Sequence, residues 1–174
     1  MNDVCTIVAG GPSIKGYKGP LHGYVIAVNW AWKSFPNYDL LVAWDRMPEG
    51  FPDHETRADK GGNWLPKGPF LNKTEGQVVN RNASVCFAVN IGYHKGFRKF
   101  YLLGCDGRVT DTPHHYHRDE DFDQRVMNLM KTRMPSINKH IEVTCDHQDI
   151  EVWAIDSALD LPSMTLKEYE NVGA

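Results

Sequence analysis

The sequence predicts an α/β fold, a doubly wound and mostly parallel sheet in a single domain. Three observations predict it. Thr6-Ile7-Val8-Ala9, Val25-Ile26-Ala27-Val28 and Leu40-Leu41-Val42-Ala43-Trp44 are continuous apolar runs, the mark of strands buried on both faces beneath covering helices. Each run stops at a glycine or a polar residue, Gly10, Asn29 and Asp45, and a later run, Phe100-Tyr101-Leu102-Leu103, stops in Gly104-Cys105-Asp106. Stretches with helical spacing lie between the later runs, and this alternation is the pattern of crossover units. With 174 residues and 41% hydrophobic content the chain suits one compact domain with a core of its own.

The first strand runs into Gly10-Gly11-Pro12-Ser13-Ile14. Glycine admits close backbone approach and proline pre-sets a turn, so this loop is either a phosphate-sized cradle or a tight turn without a ligand. It has neither the third glycine of G-x-G-x-x-G nor the lysine of a P-loop. Residues 48–76 are rich in Gly, Pro, Lys and Trp and have no period of 2 or 3.6, so they read as a long excursion, a lid or acceptor region anchored by Trp64 and Phe70. Asn82 suits an N-cap for a helix carrying Val85, Ala88, Val89 and Gly92 on one face and ending at Gly96. A second helix is expected over 118–133, with acids in its first turn, bases in its last and Pro135 beyond its end. Strands are expected at 141–144 and 150–155, a capped helical turn at 156–159, and a last short helix opened by the capping box Thr165-Leu166-Lys167-Glu168.

A formal charge of −3 gives no basic field for wrapping duplex nucleic acid. No apolar run reaches the ~20 residues of a membrane span, and the N-terminal residues lack the basic and apolar regions of a signal peptide. The expectation is a cytoplasmic protein, compatible with a homo-oligomer. Cys5, Cys86, Cys105 and Cys145 show no C-x-x-C spacing and read as reduced core thiols, neither a disulfide nor a zinc framework.

In a doubly wound sheet ligands bind at the carboxyl ends of the strands, where the strand order reverses. The polar strand ends Gly10, Asn29, Asp45 and Asp106 would then face one crevice. Asn29 is either a strand-ending amide or a contact to a base or ribose. Asn82 and Ser84 open a helix whose free N–H groups suit a phosphate, although capping alone accounts for Asn82. His114-His115-Tyr116-His117 ahead of Arg118-Asp119-Glu120-Asp121 is the densest titratable cluster, and histidine is the side chain best poised for proton transfer near neutral pH. Metal binding and a solvated loop are the rival readings of that cluster, and no metal-ligand spacing such as H-E-x-x-H is present. Arg108 either answers a phosphate charge or is a surface arginine.

The order Ile7-Val8-Ala9-Gly10-Gly11-Pro12-Ser13-Ile14, Val25-Ile26-Ala27-Val28-Asn29, Tyr101-Leu102-Leu103-Gly104-Cys105-Asp106, His117 and Val152-Trp153-Ala154-Ile155-Asp156-Ser157-Ala158-Leu159 resembles the bacterial sialyltransferases of glycosyltransferase family 42. It also resembles the related group of motility-associated factor glycosyltransferases and the archaeal hydroxymethylpterin pyrophosphokinase, including short phage-encoded relatives. The resemblance covers nearly the whole chain. It implies a Rossmann-like domain binding a CMP-sugar through residues matching Gly11, Pro12, Ser13 and Asn29, with Ser157 in the same set. His117, or His115 beside it, matches the general base that deprotonates an acceptor hydroxyl. No cofactor is implied beyond the nucleotide-sugar substrate, while the pyrophosphokinase alternative implies Mg²⁺ held by Asp45 or Asp106. A non-catalytic module that sequesters a nucleotide or nucleotide-sugar is a further alternative. The chain departs from the family where Gly10 stands in place of an asparagine and where Arg108 occupies the region of the tyrosines that receive the leaving phosphate. It is also shorter than a complete sialyltransferase.

Overall fold

A computed structural model describes residues 3–43, 52–53, 55–56, 83–109, 124–146 and 148–172. Among these residues seven strands form one sheet: β1 (Val4–Val8), β2 (Tyr24–Val28), β3 (Leu40–Ala43), β4 (Glu55–Thr56), β5 (Lys99–Leu103), β6 (Glu151–Ile155) and β7 (Ser163–Met164). Their order is β4-β3-β2-β1-β5-β6-β7, and every pairing is parallel. The expected α/β architecture is therefore the observed one. The first strand stands in the middle, the next three step away on one side, and β5 crosses to the other.

Strand alternation divides the core between the two faces of the sheet. Cys5, Ile7, Ile26, Val28, Phe100, Leu102, Val152 and Ala154 face the helices α1 (Ser84–His94) and α2 (Gln124–Cys145). Val8, Val25, Tyr101, Leu103 and Ile155 face the other way, onto the 3₁₀ turns Pro12–Ile14 and Asn29–Lys33 and onto α3 (Leu166–Glu170). Both faces are covered, which is why these strands read as unbroken apolar runs.

Helix ends differ from expectation in instructive ways. The N-cap of α1 is Ala83, whose side chain caps nothing, and Asn82 lies outside the described residues. Its C-terminus follows the sequence signal. Gly96 adopts φ +100, its N–H bonds the Tyr93 carbonyl at 3.0 Å, and the N–H of Phe97 bonds the Gly92 carbonyl at 3.1 Å, the paired closure that a left-handed glycine permits. The helix expected to end at 133 instead continues to Cys145, with Pro135 inside it. The segment 141–144, expected as a strand, is its last turn. Met134, Ile137, Asn138, Ile141 and Cys145 are buried or half-buried at helical spacing, while Pro135 lies on the exposed face. A proline there forfeits only its own bond to the Lys131 carbonyl, and packing of the buried stripe outweighs that loss.

Residues 156–159 form no helical turn. Asp156 takes φ +47, and the Ser157 hydroxyl accepts a bond from the Leu159 N–H at 3.2 Å, turning the chain toward β7. The excursion expected over 48–76 contains the edge strand β4, paired to Val42 and Ala43. The capping box of α3 is formed: Thr165 Oγ1 accepts from the Glu168 N–H, and the Glu168 carboxylate accepts from the Thr165 N–H at 2.7 Å. Among the described residues no helix is long and apolar enough to cross a membrane.

α3 docks through a fully buried tyrosine. Thr6 Oγ1 donates its proton to the His22 carbonyl at 2.7 Å, so across the 3.0 Å contact with Tyr169 the phenol must be the donor. The same phenol oxygen accepts from the His22 N–H at 3.1 Å. The Thr6 hydroxyl, the Tyr169 phenol and both backbone groups of His22 are all bonded here, and burial pushes the Tyr169 phenol above its ordinary pKa. Replacing Tyr169 by Phe removes both bonds without changing shape. We expect a loss of roughly 1–3 kcal/mol, read as a lower urea midpoint with an unchanged slope.

The four cysteines are reduced and buried. Burial pushes the Cys5 thiol up to about 12 and that of Cys86 to about 11, from an ordinary 9.0, and it raises Cys105 and Cys145 as well. A group whose folded pKa lies above its unfolded value favours folding while neutral, and loses that contribution as pH rises through the gap. Stability is therefore expected to be insensitive to these thiols below about pH 8.5. It should then fall from pH 9 towards 11, by up to roughly 1.4 kcal/mol per pH unit for each thiol. Urea unfolding at pH 7, 8, 9 and 10 measures this, and a flat profile contradicts it.

Candidate functional site

The order of strands reverses between β1 and β5, so their carboxyl ends bound the crevice where doubly wound sheets bind ligands. The loop after β1 leans on the loop after β5. The Ala9 N–H bonds the Leu103 carbonyl and the Gly11 N–H bonds the Gly104 carbonyl, each at 2.8 Å. Asp106, the one buried charged side chain among the described residues, accepts from the Ser13 N–H at 2.9 Å through Oδ2 and from the Ser13 hydroxyl at 2.5 Å through Oδ1. A carboxylate thus holds the turn that the sequence offered as a phosphate cradle, and it occupies the donors of Ser13.

The glycines here serve the protein's own backbone. A Cβ on Gly11 would overlap the Gly104 carbonyl oxygen and stand 2.5 Å from Asp106 Oδ1. Gly104 has φ +69, and a Cβ on it would meet the Ala9 carbonyl oxygen at 2.7 Å. The close approach anticipated for a ligand is made by one loop to the other.

β6 is tied to the same edge. The Ser157 hydroxyl donates to the Cys105 carbonyl at 2.5 Å, and the Ala158 N–H donates to the Asp106 carbonyl at 2.9 Å. Ser157 therefore joins two loops, using its hydroxyl as donor to Cys105 and as acceptor from Leu159. On the far side of β1, Asn29 follows β2 directly at φ +53, a left-handed conformation that asparagine tolerates better than most residues. Its amide faces Ser84 at the first turn of α1. Asn29 Nδ2 donates to Ser84 Oγ at 3.1 Å, and Ser84 Oγ reaches Asn29 Oδ1 at 3.3 Å. A neutral polar pair of this kind can donate to and accept from a ribose or a base edge.

Of the expected site residues, Gly10, Gly11, Pro12, Ser13, Asp106 and Ser157 thus lie on one bonded rim, with Asn29 and Ser84 paired at the end of the neighbouring strand. Arg108 follows Gly107 on that rim and is exposed. Asp45, Asn82, His115 and His117 lie outside the described residues, as do the rest of the histidine-acid cluster, Trp64 and Phe70. Among the described residues there is no group of three or more His, Cys, Asp or Glu side chains that could hold a metal ion.

Asn138 is a rim contact that sequence reasoning missed. Its Nδ2 donates to the Gly107 carbonyl at 2.6 Å, and Gly107 has φ +67. The signal was the half-buried spacing 134, 137, 138, 141, which becomes readable only once the helix is allowed to pass Pro135. Comparison with family models, with curated proteins and with solved structures finds no match to this chain.

If the carboxylate of Asp106 holds the loop, Asp106→Asn leaves a Ser13 donor facing an amide that cannot accept, at a cost of roughly 1–3 kcal/mol. Gly11→Ala should cost about 3 kcal/mol through overlap with Gly104. Urea unfolding of both variants measures these losses, and a Gly11→Ala protein of wild-type stability contradicts the geometry.

Proposed function

We propose that the chain is a sialyltransferase-like transferase, binding the nucleotide of an activated donor in the crevice between the β1 and β5 loops. The observation that supports this reading is the coincidence, at the reversal of strand order, of the Gly10–Ser13 loop, the Gly104–Asp106 loop and the Asn29–Ser84 pair. The pair suits the sugar or base of a nucleotide, and the exposed Arg108 on the neighbouring rim suits its phosphate. In the transfer itself an acceptor hydroxyl oxygen bonds the anomeric carbon. The bond from that carbon to the nucleotide phosphate oxygen breaks, the nucleotide leaves with the electron pair, and His117, or His115 beside it, takes the hydroxyl proton. Asp106 already serves two donors of Ser13, so no magnesium is assigned to it.

A second reading, a nucleotide-sequestering module without catalysis, is favoured by one fact. The only buried carboxylate of the described rim is committed to holding a loop and is not placed as a free base.

A thermal-shift screen with nucleoside mono-, di- and triphosphates and with nucleotide-sugars tests the binding, since a ligand of the folded state raises its apparent stability. The expected result is a shift with CMP or a CMP-sugar that weakens roughly fivefold to tenfold in affinity in Asn29→Ala. His117→Ala should keep donor binding and lose turnover. Absence of any nucleotide shift overturns the site, and absence of a transferred product by mass spectrometry with every donor favours the sequestering module.

A further inference from the structure

The bases near the middle of α2 have lost the explanation that the sequence offered for them. In a helix ending at 133, Lys131 and Arg133 sit in the last turn and complement the helix dipole. The helix runs on to Cys145, and its last turn holds no basic residue. The dipole effect fades within one turn of the end, so it does not account for charges more than ten residues away from it. Residues 124–141 nevertheless carry Arg125, Lys131, Arg133 and Lys139 and not one Asp or Glu, in a chain of net charge −3.

Two bases flank the bond that joins α2 to the candidate site. The bond from Asn138 Nδ2 to the Gly107 carbonyl, 2.6 Å long, fastens α2 to the β5 rim. Lys139 follows one partner of that bond and Arg108 follows the other. Both side chains are exposed, and among the described residues neither has an ion pair. Lys131 lies two turns before Lys139, on the same side of the helix. On the other side of the crevice, the Ser13 donors and the Gly11 N–H are spent on Asp106 and Gly104 of the β5 loop, so a carboxylate is already bonded to the loop after β1.

Resting on the nucleotide reading above, we infer that the phosphate of the ligand is held at the β5–α2 edge by Arg108 and Lys139, and not by the Gly10–Ser13 loop. A guanidinium offers a phosphate two parallel donors, and a neighbouring ammonium adds a point charge. The ligand then lies across the sheet with its sugar and base towards Asn29 and Ser84 and its phosphate towards α2. Donors already bonded to a carboxylate are a poor seat for a second anion, whereas exposed cations such as Arg108 and Lys139 are a good one.

Inorganic pyrophosphate, CMP and cytidine serve as probes in thermal-shift and calorimetric titrations of the full chain. Pyrophosphate should bind the wild type, and CMP should bind more tightly than cytidine. Arg108→Gln and Lys139→Gln, both at exposed positions, should each weaken pyrophosphate about fivefold or more and narrow the gap between CMP and cytidine. Ser13→Ala, which keeps its backbone bond to Asp106, should leave both within about twofold. The inference is overturned if Ser13→Ala removes the phosphate increment, if the two charge variants bind as the wild type does, or if wild type ignores pyrophosphate. Its failure is distinct from failure of the nucleotide reading, because cytidine binding weakened by Asn29→Ala supports that reading whatever the phosphate does.

Discussion

The carboxyl edge of the sheet depends on one close approach, that of the Gly11 backbone to the Gly104 carbonyl. At this separation no side chain fits between the loops, so both positions require glycine. Two backbone bonds and the two-pronged acceptance of Ser13 by Asp106 then fix the loop after β1 against the loop after β5. The β6 loop joins through Ser157 and Ala158, and α2 joins through Asn138. Four elements far apart in sequence are thereby bonded into one rim. A crevice built on such a rim is preorganised, because its walls are positioned by bonds that form on folding and need no ligand.

The same approach changes what the glycine loop means. Glycine pairs after a first strand are commonly read as room for a phosphate, and here the room is filled by the protein itself. An internal anion already satisfies the hydroxyl and the amide donor of Ser13. The charges of the rim are thus a carboxylate bonded to the loop after β1 and the exposed bases Arg108 and Lys139 on the β5–α2 side. That polarity would orient a charged ligand before any specific contact is made.

Much of the fold was legible because burial on both faces leaves a strong mark. The strands at 4–8, 24–28, 40–43, 99–103 and 151–155 are each built on an apolar run, and the Thr165–Glu168 capping box and Gly96 marked their helix ends as expected. The failures have physical causes. Pro135 reads locally as a stop, yet one lost bond on a solvent-facing side is outweighed by the stripe that packs on α1. Ile141-Glu142-Val143-Thr144 has strand propensity, and helix context overrode it. Strands of two residues such as β4 and β7 carry no periodicity at all and are created by their neighbours. In the site, residue positions were legible and residue partners were not. Asp106 and Ser13 are 93 positions apart, and nothing local marks one as the acceptor of the other.

The buried triangle of Thr6, His22 and Tyr169 has a bearing on the order of folding. The central strand carries a hydroxyl that one partner, the phenol, reaches only from 163 positions later. During synthesis β1 and β2 emerge long before α3, and the phenol's two bonds stay unmade until the last helix arrives. Loop closure over such a separation is slow relative to local helix formation. The part of the face that α3 covers stays open in the meantime, beside the part already covered by the 3₁₀ turns Pro12–Ile14 and Asn29–Lys33. Closure of that patch thus waits for Tyr169, the residue through which α3 reaches the central strand.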